Sequence, residues 1–138
     1  MRQKTEAWTV ATPGPGFVDL TARAKAWLTD AGAGEGLFTV YVPHTSCSLT
    51  IQENTDPDVL DDLADALARA APREHSYRHN LEGPDDMPAH IKTMLTQSSI
   101  SIPVLSGKPV FGTWQALYLI EHRDSPHRRR VVVNYLGT

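Results

Sequence analysis

Three short stretches hold the residues that could do chemistry. "YVPHTSCSLTIQENTD" (41–56) carries His44, Thr45, Ser46 and the chain's single cysteine, Cys47, between two runs of strand character. "HNLEGPDDMPAH" (79–90) sets His79 and His90 on either side of Glu82, Asp85 and Asp86. "GTWQALYLIEHRDSPHRRR" (112–130) puts Glu121 among apolar residues and follows it with Arg123, Arg128, Arg129 and Arg130. His44, His79 and His90 with one acid would suit zinc or a similar divalent ion, whose usual ligands besides thiolate are imidazole and carboxylate. Their spacing matches no established metal signature. A plainer reading stands beside it: Asp86 caps a short helix with Pro88 in its first turn, and His90 is a surface residue of that helix.

"HTS" interrupts a pair of strands, so His44, Thr45 and Ser46 are expected at a bend where side chains converge. Along 113–122, Thr113, Gln115, Leu117, Leu119 and Glu121 share one strand face, and Trp114, Ala116, Tyr118, Ile120 and His122 the other. A carboxylate beside leucines is costly unless paired, and the nearby arginines could pair it. Those arginines could equally clamp phosphate, whose oxygens match a guanidinium fork, or simply keep a hairpin tip soluble. Cys47 has the parity of Leu49 and Ile51 and reads as a small core residue rather than a nucleophile. Ser46 and Ser48 have no G-x-S-x-G context, which weighs against a hydrolase triad.

The elements that must position these residues follow from periodicity and turn chemistry. "EAWTVAT" (6–12) alternates as a strand and "PGPG" (13–16) breaks it. The spacing of Leu20, Ala24, Trp27, Leu28 and Ala31 predicts a helix over 17–32, closed by Gly32. Strands are expected at 36–43 and 47–52. A strong helix should span 55–72, with Asp56 as cap, Pro57 at its first position and Val59, Leu60, Leu63 and Leu67 on one face. A polar loop then leads into a short helix at "MPAHIKTML" (87–95). Strands at 98–104, 110–123 and 130–137, joined by the turns "GKP" and "DSPHRR", read as an antiparallel meander. Strands with two or three interspersed helices and no regular βαβ alternation indicate a single α+β sandwich over 1–138.

Composition narrows the function classes. With 138 residues, 41% hydrophobic, the chain can bury one real core. It lacks an apolar run near the ~18 residues that span a bilayer, and "MRQKTEAW" lacks a secretory apolar stretch, so a cytoplasmic protein with no membrane contact is expected. One cysteine makes no internal disulfide. A net charge of −3 argues against a general nucleic-acid partner, so any anion site must be local.

The segments "VPHTSCSLTIQENTDPDVLDDL", "YRHNLEGPDDMPAHIK" and "GTWQALYLIEHRD…RRVVV", in that order, resemble the YjbQ family from about residue 8 onward. Members of that family are described as secondary thiamine-phosphate synthases. The resemblance implies a compact α+β homotrimer with histidine-bearing segments near subunit boundaries. It also implies a transferase joining a hydroxymethylpyrimidine pyrophosphate to a thiazole phosphate, with pyrophosphate released, an activity described as weak and incidental. On that reading a pyrophosphate leaving group needs a cation, and Asp85 or Asp86 could hold Mg²⁺ or Zn²⁺. Arg123 or Arg128 would hold phosphate, and His79 and His90 would be ligands or donors to the leaving group. No organic cofactor is expected. Two other classes stay open: a metal-dependent hydrolase or phosphatase, and a non-enzymatic metal- or metabolite-binding trimer.

Overall fold

Val131, Val133 and Tyr135 alternate with Val132, Asn134 and Leu136 near the C-terminus, and only the first set is fully buried. That period of two is the signature of a strand with one face on a core. The computed structural model describes residues 1–138 and contains eight strands and three helices. In chain order these are β1 (Arg2–Thr12), β2 (Gly16–Asp19), α1 (Thr21–Asp30), β3 (Gly36–Tyr41), β4 (Cys47–Glu53) and α2 (Pro57–Ala70). They continue as α3 (Asp86–Leu95), β5 (Ser99–Leu105), β6 (Lys108–Pro109), β7 (Gln115–Glu121) and β8 (His127–Gly137). One sheet has the order β1-β8-β3-β5-β6 and the other β2-β7-β4, with every pairing antiparallel. The fold is α+β, as expected.

The two sheets enclose one core. Phe38 and Val40 from β3, Val131, Val133 and Tyr135 from β8, Leu49 from β4 and Leu117 and Leu119 from β7 meet there, together with Trp27 and Leu28 of α1. Trp27 and Phe38 pack with their ring planes tilted by 49° and their centroids 5.9 Å apart. Cys47 is fully buried in this cluster, and burial pushes its thiol up to about 11, which leaves it an inert core residue. Helices α2 and α3 lie over the outer face of the smaller sheet, where Ile120 and Thr50 meet Leu63, Leu67 and Leu95 around a cleft of about 270 Å³. Asp56 accepts the Asp58 N–H at 2.9 Å and Pro57 opens α2, as its sequence foretold.

Three expectations are corrected. The last three long strands are not a meander: β5 pairs with β3 and β6, β7 with β2 and β4, and β8 with β1 and β3. The chain therefore changes sheet at each of those connections. Residues 17–19 are strand rather than helix, because they extend the smaller sheet alongside β7. The helix starts only after Leu20 N–H and Thr21 Oγ1 have bonded the Leu117 carbonyl and amide, and Asp19 accepts the Thr21 N–H at 2.8 Å. Residues 110–114 are also outside β7, since Gly112 and Gln115 close a turn on each other through Gln115 N–H and Gln115 Oε1.

A buried ion pair joins the sheets. Glu121, at the end of β7, and Arg129, on the inner face of β8, are 1% and 5% exposed. Arg129 Nε donates to Glu121 Oε1 at 2.7 Å, Arg129 Nη2 reaches Oε2, and Thr12 Oγ1 of β1 donates to Oε1 at 2.7 Å. The backbone N–H groups of His122 and Arg123 also donate to Oε2, each at 3.1 Å. Burial alone would raise the Glu121 carboxyl, but the bonds from Arg129, Thr12 and the Arg123 amide outweigh it and hold the group below its usual 4.5. Its stabilising effect is therefore complete above about 4.5 and fades as the pH falls through the lower folded value.

Two measurements follow from this packing. In urea, Phe38→Ala should cost about 3–5 kcal/mol of unfolding free energy. The adjacent but outward Leu37→Ala should cost under about 1 kcal/mol; equal losses would refute the register. Glu121→Gln leaves the Arg129 cation buried without its counter-charge and should cost about 3–5 kcal/mol near neutral pH. The gap in thermal midpoint between parent and variant should narrow below about pH 4.5, and a constant gap would contradict the depressed carboxyl.

Candidate functional site

Arg123 follows the clasped Glu121 by two residues and is turned inward by it. Its Nε donates to Asp85 Oδ2 at 2.8 Å, its Nη1 to Asp86 Oδ1 at 2.9 Å, and its Nη2 to the Glu82 carbonyl at 2.9 Å. The Asp124 amide adds a further bond to Asp85 Oδ2 at 2.9 Å. The loop ahead of α3 is thus pinned to the β7–β8 connection by one guanidinium. Asp86, the first residue of α3, is 2% exposed. It lies inside the helix rather than capping it, and its carboxylate makes no cap bond.

The other oxygen of Asp86 faces two imidazoles. Asp86 Oδ2 lies 2.6 Å from His79 Nε2 and 3.4 Å from His90 Nε2. His90 reaches it because positions four apart share one helix face, so His90 is not a mere surface residue. The ring centroids of His79 and His90 are 5.3 Å apart. One ligand atom from each of His79, Asp86 and His90 falls within 4.8 Å of the others. Burial would raise Asp86, but the His79 bond and the charges of His90 and Arg123 prevail and hold it below the ordinary carboxylate range.

The charges show what this arrangement fits. Arg123 is the one cation bonded to both Asp85 and Asp86, which leaves one negative charge facing the imidazoles. Two imidazoles and one carboxylate form a ligand set for a divalent ion such as zinc. His79 is about half exposed and His90 about a third, whereas Asp86 is enclosed. That asymmetry leaves the solvent side of the cluster open to a further ligand. Arg123 and Asp85 would orient the buried carboxylate from behind.

The third expected histidine is elsewhere. His44 Nε2 accepts the Arg130 N–H of β8 at 2.9 Å, and the ring sits with Arg129, Glu121 and His127 at the clasp. Burial, reinforced by the Arg129 charge, pushes its pKa down. The cluster of His44, His79 and His90 is therefore replaced by His79, His90 and Asp86. Ser46 belongs to the clasp as well, accepting Arg129 Nη2 at 2.9 Å. Thr45 is exposed, and its carbonyl accepts Thr93 Oγ1 of α3 at 3.2 Å. "HTS" is thus a brace between β8 and α3.

The two expected phosphate arginines do not form a clamp. All three nitrogens of Arg123 are taken up by Asp85, Asp86 and Glu82, and Arg128 is exposed on the outer side of β8. The inward one is Arg129, a placement that the parity of Val131, Val133 and Tyr135 already implied. Ser48 forms a buried chain with His122 Nε2 at 2.8 Å and Thr96 Oγ1 at 2.6 Å, but Ser48 is fully enclosed. Burial pushes His122 down to about 4, so the imidazole is neutral. The chain serves packing between β4, β7 and α3.

The model of the UPF0047 protein YjbQ-like family matches residues 6–138. The UPF0047 protein sll1880 of Synechocystis sp. is 47% identical over 137 residues, covering 99% of this chain and 93% of that protein. A crystal structure of a YjbQ/UPF0047 family protein from Clostridium acetobutylicum superposes with a TM-score of 0.87 at 36% identity, over 95% of this chain and 99% of that one. The conserved hypothetical protein TT1486 of Thermus thermophilus gives 0.84 at 38% identity, over 95% and 99%. From both the sequence match and the shared fold, this chain belongs to the YjbQ family.

Proposed function

We propose that the chain is a divalent-metal-dependent enzyme acting on a phosphorylated small molecule, with His79, His90 and Asp86 as the metal ligands. The observation that supports it is the convergence of these three ligand atoms on the solvent side of a buried, charge-excess carboxylate pair. The reaction we favour is the thiamine-phosphate synthase-like transfer, in which a pyrimidine carbon passes from pyrophosphate to the nitrogen of a thiazole phosphate. A bound Mg²⁺ or Zn²⁺ would offset the charge that develops on the departing pyrophosphate.

The chain's own residues would divide the remaining work. Asp86, held through its other oxygen by Arg123, fixes the ligand side of the site. His79 and His90 present imidazoles at the mouth, where they can hydrogen-bond a substrate oxygen. A second reading is a metal-dependent phosphatase, favoured by the same half-exposed histidines, which leave room for water. We further propose a cytoplasmic homotrimer. The exposed Tyr41 and Leu136 on the outer face of the larger sheet favour assembly. No helix is long and apolar enough to cross a membrane.

Purified protein given both thiamine-phosphate precursors and Mg²⁺ should release pyrophosphate, and His79→Ala and Asp86→Asn should lower that rate by about 100-fold or more. Circular dichroism should report retained folding in both variants. Undiminished release in His79→Ala would sink the assignment; phosphate release from a monoester panel without pyrophosphate release would favour the phosphatase. Co²⁺ titration should show about one ion per chain by its visible absorption, and Arg123→Lys should weaken it about 10–100-fold through the misdirected Asp86.

A further inference from the structure

The loop between α2 and α3 folds on itself beside the histidine pair. Tyr77 Oη donates to the Pro72 carbonyl at 2.7 Å, the rings of His75 and Tyr77 lie against each other tilted by 56° with centroids 4.8 Å apart, and His79 is tethered to Asp86. Arg73 Nη1 and Nη2 donate to the two Asp124 oxygens at 2.8 and 2.7 Å, anchoring the loop to the same β7–β8 connection that carries Arg123. The loop is therefore shaped before any ligand arrives.

It borders two adjoining open hollows of about 430 and 350 Å³, which share His75, Ser76, Tyr77, His79 and Met87. Arg73 lines one and Arg78 the other. No carboxylate side chain lines either hollow, although the chain as a whole carries a net charge of −3. Asn80 and Ser76 add neutral hydrogen-bonding groups. A concave basin with neutral donors, an unpaired Arg78 and an Arg73 whose partner Asp124 lies outside the lining is complementary to an oxyanion. Its size suits a small metabolite. Because His79 belongs both to the basin wall and to the proposed metal cluster, an anion held here would lie against that cluster.

We infer that this basin is the phosphate subsite of the enzyme, with Arg78 as its anchor, Arg73 as its second arm, and His75, Ser76 and Asn80 as supporting groups. The assignment rests on the metal-site reading for its catalytic meaning but not for its binding chemistry. It moves phosphate recognition from Arg123 and Arg128 to a different element. Arg78 is exposed and faces the basin without an ion-pair partner, so it carries an uncommitted fork. The Arg73–Asp124 pair is bidentate at 2.8 and 2.7 Å and half exposed, so Arg73 stays anchored and lends its charge to the basin wall.

Inorganic phosphate serves as the probe, titrated calorimetrically at low salt into the full chain after removal of metals. The parent should bind it, and Arg78→Ala should weaken binding about tenfold or more, equivalent to about 1.4 kcal/mol. Lys25→Ala, which removes the same charge from exposed α1, should leave the affinity within about twofold because it makes no contact. Absence of binding, equal affinity in Arg78→Ala, or an equal loss in Lys25→Ala would each overturn the subsite. Co²⁺ titration of the same samples separates the two readings. Phosphate binding that depends on Arg78 without any Co²⁺ uptake leaves the subsite standing and removes the metal site; Co²⁺ uptake without phosphate binding does the reverse.

Discussion

The pairing of Glu121 with Arg129 is the constraint on which the rest of the molecule is arranged. It crosses from the smaller sheet to the larger at the point where the chain itself leaves one for the other. Buried ion pairs of this kind contribute little net stability over a well-packed apolar substitute, and their importance lies in geometry. Here the carboxylate also receives two successive backbone amides, those of His122 and Arg123. The direction in which the chain leaves β7 is thereby fixed, and with it the direction of the Arg123 side chain.

From that point the organisation of the site is a relay of orientation. Arg123 holds Asp85 and Asp86; Asp86 holds His79 and faces His90; His79 borders the basin walled by Arg73 and Arg78. Each step fixes the geometry of the next through charge-assisted bonds, which are shorter and more directional than neutral ones. The carboxylates sit inside and the imidazoles outside, so the rigid part of the site is the part away from solvent.

Local patterns were legible where a single element decides the outcome. Helix α2 follows from Asp56, Pro57 and its apolar face, and the inward parity of Cys47, Leu49, Leu117 and Leu119 holds in the core. The class of fold could be read, but not which strands pair, because β5 and β8 alternate and β7 is buried along almost its whole length, and neither pattern names a partner strand. The site was half legible for a related reason. Asp86 and His90 lie one helical turn apart, and His79 joins them from the loop just ahead of the helix. His44 and Arg129 are 85 positions apart, and only the clasp between sheets shows that they belong together. The parity of Val131 and Val133, extended by one step, points to Arg129 rather than Arg128 as the inward arginine.

Helix α2 has no fully buried side chain, although its local sequence signals are the strongest in the chain. Its capping aspartate, its leading proline and its first-turn acid Asp58 keep it helical with little help from neighbours. The helix is therefore held on the smaller sheet only through the half-buried Val59, Leu60, Leu63 and Leu67, a lighter attachment than that of α1, whose Ala24, Trp27 and Leu28 are buried. It covers Ile120 and Thr50 on the outer face, apart from the clasp that joins the sheets.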